Sequence, residues 1–188
     1  TLIDAESIML EDSNATLIRS TLGDIHTGIG WCNLRLLHAE TAREHFIISQ
    51  GYELYSFGTS VGLMTAYYEL GTGFPIDSTV VDSAIQIGHW IFSSGMPEEF
   101  EYNQSINVDD VRLLMAKSYF AKGDLSDNDT EKAGALYWIL QLDLYYGYLN
   151  ENDPYTWNLY NNGEQDYDSF GEVILMIIIE LEREVFPA

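Results

Sequence analysis

The sequence predicts an all-α fold: a short α-solenoid of about three helical hairpins, with an extra capping helix at each end. Two observations carry this. Residues recur at steps of three and four, as in Leu34, Leu37 and Thr41, in Ala42 and Phe46, or in Leu113, Ala116 and Tyr119 or Phe120, and no long alternating strand pattern interrupts them. Turn formers punctuate the chain at regular places: Gly23, Gly51, Gly71 to Pro75, Gly95 to Pro97, Gly123 and Pro154.

Between these marks the spacing predicts helices over 3–20, 22–37, 39–50, 54–71, 77–93, 107–122, 129–147 and 167–185, all within one domain spanning 1–188. The first is an N-terminal cap ending before Gly23. The next two form a hairpin around "LHAE" at His38, and the fourth stops at "LGTGFP". Asp77, Asn107 and Asp127 are short polar residues placed to cap the helices that follow them, with Glu131 available inside the last of these. Residues 149–165 form the longest polar connection, rich in turn formers and aromatics. The final helix carries "VILMIII", apolar on all sides for two turns, so either the aromatic loop or another subunit should cover its outer face.

One spacing repeats. Gly30, Ala42, Phe46 and Ser49 place small residues and one aromatic where two antiparallel helices would cross and pack back. "LMTAYYELG" echoes the first half through Ala66, Tyr67 and Gly71, and "MAKSYFAKGD" echoes it again through Ala116, Tyr119 and Gly123. Ala133 and Tyr137 follow after the insertion "SDNDT". On these residues the chain resembles the tetratricopeptide-repeat (TPR) family over about 22–147. It is most similar to secreted or lipid-anchored bacterial members, through "GIGW" at Gly28, "HWIF" at His89 and "SINVDDVRLLMAKSYFAKGD" at Ser105. The resemblance implies a non-catalytic scaffold that presents a surface to a peptide or protein.

Composition narrows the partners. Thirty acidic against eight basic residues give a net charge of −22, which repels nucleic-acid phosphates and anionic membranes. The longest apolar run, Val173 to Ile179, falls far short of the ~20 residues a spanning helix needs. No basic stretch before an apolar run opens the chain, so no targeting peptide is expected within these residues. Sequons at Asn14, Asn103 and Asn128 point to an exported, glycan-bearing chain at the cell surface or secreted, with the periplasm as the alternative.

Residues suited to chemistry do not assemble into a motif. His26, His38, His45 and His89 are scattered singly without metal-ligand spacing, and no metal or other cofactor is expected. Cys32, the one cysteine, reads as a small buried hydrophobe beside Trp31 rather than a nucleophile. "DLSDNDTE" lacks the glycine and distal glutamate of a calcium loop. No enzyme activity is therefore expected.

Thirteen tyrosines, four tryptophans and eight phenylalanines exceed what the repeat needs. Tyr145, Tyr146, Tyr148, Tyr155, Trp157 and Tyr160 are candidate interface residues, as are Met176 and Ile178 on the last helix. The expected function is binding of a protein partner or of further copies of the chain. Head-to-tail stacking into a filament is one version of this. A concave aromatic groove that holds a small ligand, as in a periplasmic binding or transport-accessory protein, is the competing reading.

Overall fold

The computed structural model describes residues 13–52, 56–95, 106–142, 149–154, 156–157 and 167–185. Among them are seven helices: α1 (Ser13–Arg35), α2 (Ala39–Tyr52), α3 (Phe57–Gly71), α4 (Ser78–Ser93), α5 (Val108–Ala121), α6 (Ala135–Leu140) and α7 (Phe170–Val185). Each of α1 to α6 packs on the next, and α1–α3, α3–α5 and α5–α7 also touch. The odd-numbered helices thus form one layer, with α2, α4 and α6 against it. This is the expected all-α, solenoid-like stack.

Local chemistry explains most boundaries. Asp77 accepts from the amides of Thr79 and Val80 at the start of α4, and Ser56 accepts from Thr59 at the start of α3. Asn107 and Asp110 cap α5 reciprocally: the Asn107 side chain takes the Asp110 amide while the Asp110 carboxylate takes the Asn107 amide. α5 ends at Gly123, whose φ of +77° lets Asp124 and Gly123 donate back to the carbonyls of Tyr119 and Phe120. The same closure ends α1, where His38 donates to Asn33 and Leu37 to Leu34, but here the left-handed position is held by Leu37, at φ +61°.

Two expected boundaries are corrected. No break falls near Gly23; α1 runs through it, so over the described residues the N-terminal cap and the first repeat helix are one element. Gly23 is buried, and its carbonyl accepts from the Ser49 hydroxyl of α2 at 2.9 Å, so interhelical packing offsets glycine's poor helix propensity. The helix expected over 129–147 begins only at Ala135, with Gly134 rather than Asp127 at its cap. Asn128 and Ala133 instead exchange both backbone hydrogen bonds in an isolated bridge. The first amides of α6 donate to the carbonyls of Asp124 and Ser126, which cross its N-terminus. Ala133 is therefore not a helical packing residue. At Gly134, with φ +98°, a side chain would fall 1.8 Å from the Ser126 carbonyl oxygen, so only glycine fits there.

The larger core joins α3 to α7, with Met64, Ile91, Leu113, Met115, Ile139, Ile174 and Ile177 fully enclosed. A smaller one, Ala42, Phe46, Leu63 and Ala66, joins α1 and α2 to the opposite face of α3. Among the described residues no helix is long and apolar enough to cross a membrane.

Candidate functional site

Most of the residues singled out for the hairpins are buried between helices. Ala42, Phe46, Ser49, Ala66 and Ala116 are completely buried, and Tyr119 and Tyr137 nearly so. A methyl group on Gly30 would lie 2.6 Å from the Phe46 ring, and one on Gly71 2.7 Å from Val81, so helix crossings are close at both. Tyr67 is half-buried, with the Arg43 guanidinium 5.8 Å from its ring centre. Trp31 packs edge-on against Phe46, ring centres 5.6 Å apart.

Other expectations are overturned. Cys32 is exposed, because α1 turns that side of the helix away from α2. Ile178 is buried in the chain's own core with Val173, Ile174, Ile177 and Leu181, so α7 directs this face inward and Ile178 is no interface residue. Met176 is half-buried, and Leu175 of that helix is exposed. Trp157 stacks on Phe170 with centres 5.7 Å apart and donates its indole N–H to the Asn150 carbonyl, so it secures the loop to α7. Tyr145, Tyr146, Tyr148, Tyr155, Tyr160 and Asn103, like the side chain of Asn14, lie outside the described residues. The Asn128 amide nitrogen donates to Glu131.

The fold also joins residues that no sequence motif linked. The hydroxyls of Thr27, Ser49 and Thr59 form a buried triangle across α1, α2 and α3, with distances of 2.7, 2.6 and 3.1 Å. The Nδ1 atoms of His26 and His45 are 2.9 Å apart, one donating and the other accepting. His89 Nε2 lies 2.8 Å from the Tyr119 hydroxyl; burial pushes the imidazole below its usual range, with Lys132 adding to the effect. Burial raises the Tyr119 phenol to about 12, helped by Asp124, Asp82 and Glu131. Among the described residues, no three His, Cys, Asp or Glu side chains converge on a metal-sized space.

Three surface features remain. The first is one edge of the stack, where two hairpin turns leave Leu36, Leu37, Phe74 and Ile76 in solvent, Leu37 at 87% and Phe74 at 103% exposure. The two turns are neighbours, since Leu37, His38, Leu70 and Gly73 line one hollow, with Glu40 and Glu69 at its margin. The second is an open groove of about 770 Å³ over α3, its sides formed by Ile47 and Gln50 of α2 and by Gln86 and Trp90 of α4. Among the described residues no charged side chain lines it.

The third feature is a smaller cavity of about 200 Å³ on the other face of α3, between α1, α3 and α5. Trp31, Val61, Ile106, Leu113 and Leu114 make its wall, and Asp110, Thr65, Glu69 and Lys117 supply polar groups. Lys117 pairs with Glu182 and sits over the Tyr68 ring, and the Thr65 hydroxyl donates to Val61. The indole nitrogen of Trp31 and Oδ1 of Asp110 are both buried without a partner among the described residues. Burial pushes the Asp110 carboxyl above its usual range, against the lowering effect of the Asn107 amide. Comparison with family models, curated proteins and solved structures returns no match for this chain.

Proposed function

We propose that the chain is a non-catalytic interaction module of tetratricopeptide type that binds a protein partner through the edge formed by its first two hairpin turns. The observation that carries this is Leu37. A leucine in the left-handed region costs about 1–2 kcal/mol relative to a residue suited to it, and here its side chain is also in water. Glycine would serve the turn better, so the side chain itself has a use there. Leu36, Phe74 and Ile76 extend the same apolar edge, which Glu40 and Glu69 flank; a partner with an apolar anchor and a basic margin is complementary to it. The three sequons support an exported chain.

The test compares partner capture by the wild-type chain and by the double variant Leu37→Gly, Phe74→Ser. The variant should keep its helical content and lose the captured protein. Equal capture by both would remove the edge from the reading. A second reading, head-to-tail assembly, is favoured by the outward stripe of Ile18, Ile25 and Ile29 on α1 at one end of the stack and by exposed Leu175 on α7 at the other. Sedimentation over a concentration series decides it: assembly predicts growth that Ile25→Glu abolishes, and a monomer throughout excludes it.

A further inference from the structure

The cavity between α1, α3 and α5 is distinct from the apolar edge and poses a separate chemical question. Asp110 is only 7% exposed, and one of its oxygens is used by the helix cap while the other is buried with no donor among the described residues. The Trp31 indole N–H is buried with no acceptor among the described residues. Both residues line the same cavity, one from α1 and the other from α5. An unmet buried polar group carries a desolvation cost of about 1–3 kcal/mol, so two sharing one apolar space mark a place where something polar belongs.

We propose that this cavity binds an α-ammonium group adjacent to a carbonyl, borne by a small aliphatic residue. The ammonium donates to Asp110 Oδ1, the carbonyl oxygen accepts from Trp31 Nε1, and the side chain lies against Val61, Leu113 and Leu114. Each part follows from the lining. A buried carboxylate oxygen in a chain of net charge −22 calls for a cationic donor, and an indole N–H can only donate. The volume of about 200 Å³ equals roughly seven waters at ~30 Å³ each, which suits one small residue and not a longer peptide segment. The other polar groups already have partners or, like Glu69, stand in solvent at the rim. A free aliphatic amino acid and the first residue of a peptide present the same chemistry.

The experiment uses the intact chain, with calorimetry for affinity and the indole N–H resonance of Trp31 as a local probe. L-valine, valyl-glycine and N-acetyl-valine are titrated separately to about 10 mM, the millimolar range expected of a small ligand. Saturable displacement of the Trp31 resonance by L-valine or valyl-glycine, and none by N-acetyl-valine, supports the site. Response to L-valine alone assigns free amino acids, and response to valyl-glycine alone assigns peptide amino termini. Asp110→Asn should weaken binding by at least about tenfold, the loss of one charge-assisted hydrogen bond. Because Asp110 also caps α5, Trp31→Phe serves as a second variant that keeps the ring against Phe46 and lacks the N–H. It too should bind at least about threefold more weakly, as expected for losing a neutral hydrogen bond. No displacement by either amine, or equal displacement by N-acetyl-valine, overturns the proposal and leaves the cavity to water.

Discussion

In the first hairpin, a single large side chain, Phe46, fills a slot between Gly30 and Gly62, where added methyl groups would lie 2.6 and 2.2 Å from its ring. Beside it, three hydroxyls from three helices close on one another. From α4 onward the chain relies more on enclosed volume, with a further close approach at Gly88, where an added methyl group would lie 2.1 Å from Met115: α6 buries five of its six residues, and Phe92 and Trp138 meet with ring centres 4.7 Å apart. The first region depends on close backbone approach and leaves Leu17, Ile18, Ile25 and Ile29 outside; the second encloses nearly all its large apolar residues. Close approach fixes geometry with little buried area, so this region leaves apolar surface uncovered. α3 serves both, presenting Leu63 and Ala66 to one core and Val61 and Met64 to the other.

This contrast can be broken most severely at Phe46. Phe46→Ala should cost about 3–5 kcal/mol in denaturant unfolding, and hydrogen exchange should show α1 and α2 opening before α4 to α7. Uniform loss of protection would mean that the two regions are one cooperative unit. Gly62→Ala should cost about 1–3 kcal/mol by overpacking, and Phe46→Leu in the same chain should recover part of it. Independent, additive losses would contradict the slot.

Thr27→Val leaves Ser49 and Thr59 short of a partner and should cost about 1–2 kcal/mol. Combined with Ser49→Ala it should cost less than the sum, measured as a double-mutant cycle. Leu37→Gly relieves the left-handed strain and should raise the unfolding midpoint by the equivalent of about 1 kcal/mol or less, glycine's chain entropy offsetting part of the gain.

The smallest effect is electrostatic and belongs to the second region. The His89 imidazole is held below 6.5, so the unfolded chain binds the proton more readily, and stability falls as pH drops through 6.5 towards the folded value. His89→Gln should flatten the stability profile over that window. Asp110 runs the other way: with its folded pKa raised above 3.8, its contribution is most favourable in acid and is lost as pH rises through that raised value.

How much was legible in the sequence divides along the same line. Asp77 and Asn107 capped as their residue types predict, because a cap is a contact among residues two or three apart. Gly30 and Phe46 landed on one another, and Ala42 and Ser49 were buried, because the turn between α1 and α2 is short. Cys32 and Ile178 were misplaced because side-chain type says little about which side of a largely apolar helix the neighbours cover. The cavity of Trp31 and Asp110 joins residues far apart in the chain, and its signal is two polar atoms lacking partners, a property no local pattern carries.

By itself, the sequence determined the helical class, most of the helix ends, the small-residue crossings and the strongly acidic surface, since periodicity, capping and charge are properties of neighbouring residues. The tertiary structure alone decided that α1 continues through Gly23, that α6 starts late beneath the Asp124–Ser126 carbonyls, and that His26 meets His45. It also decided which apolar residues stay in water and which polar atoms are buried without partners. Those outcomes depend on which helix lies against which, and the free energy of burial is set by that contact and not by the residues on either side in the chain.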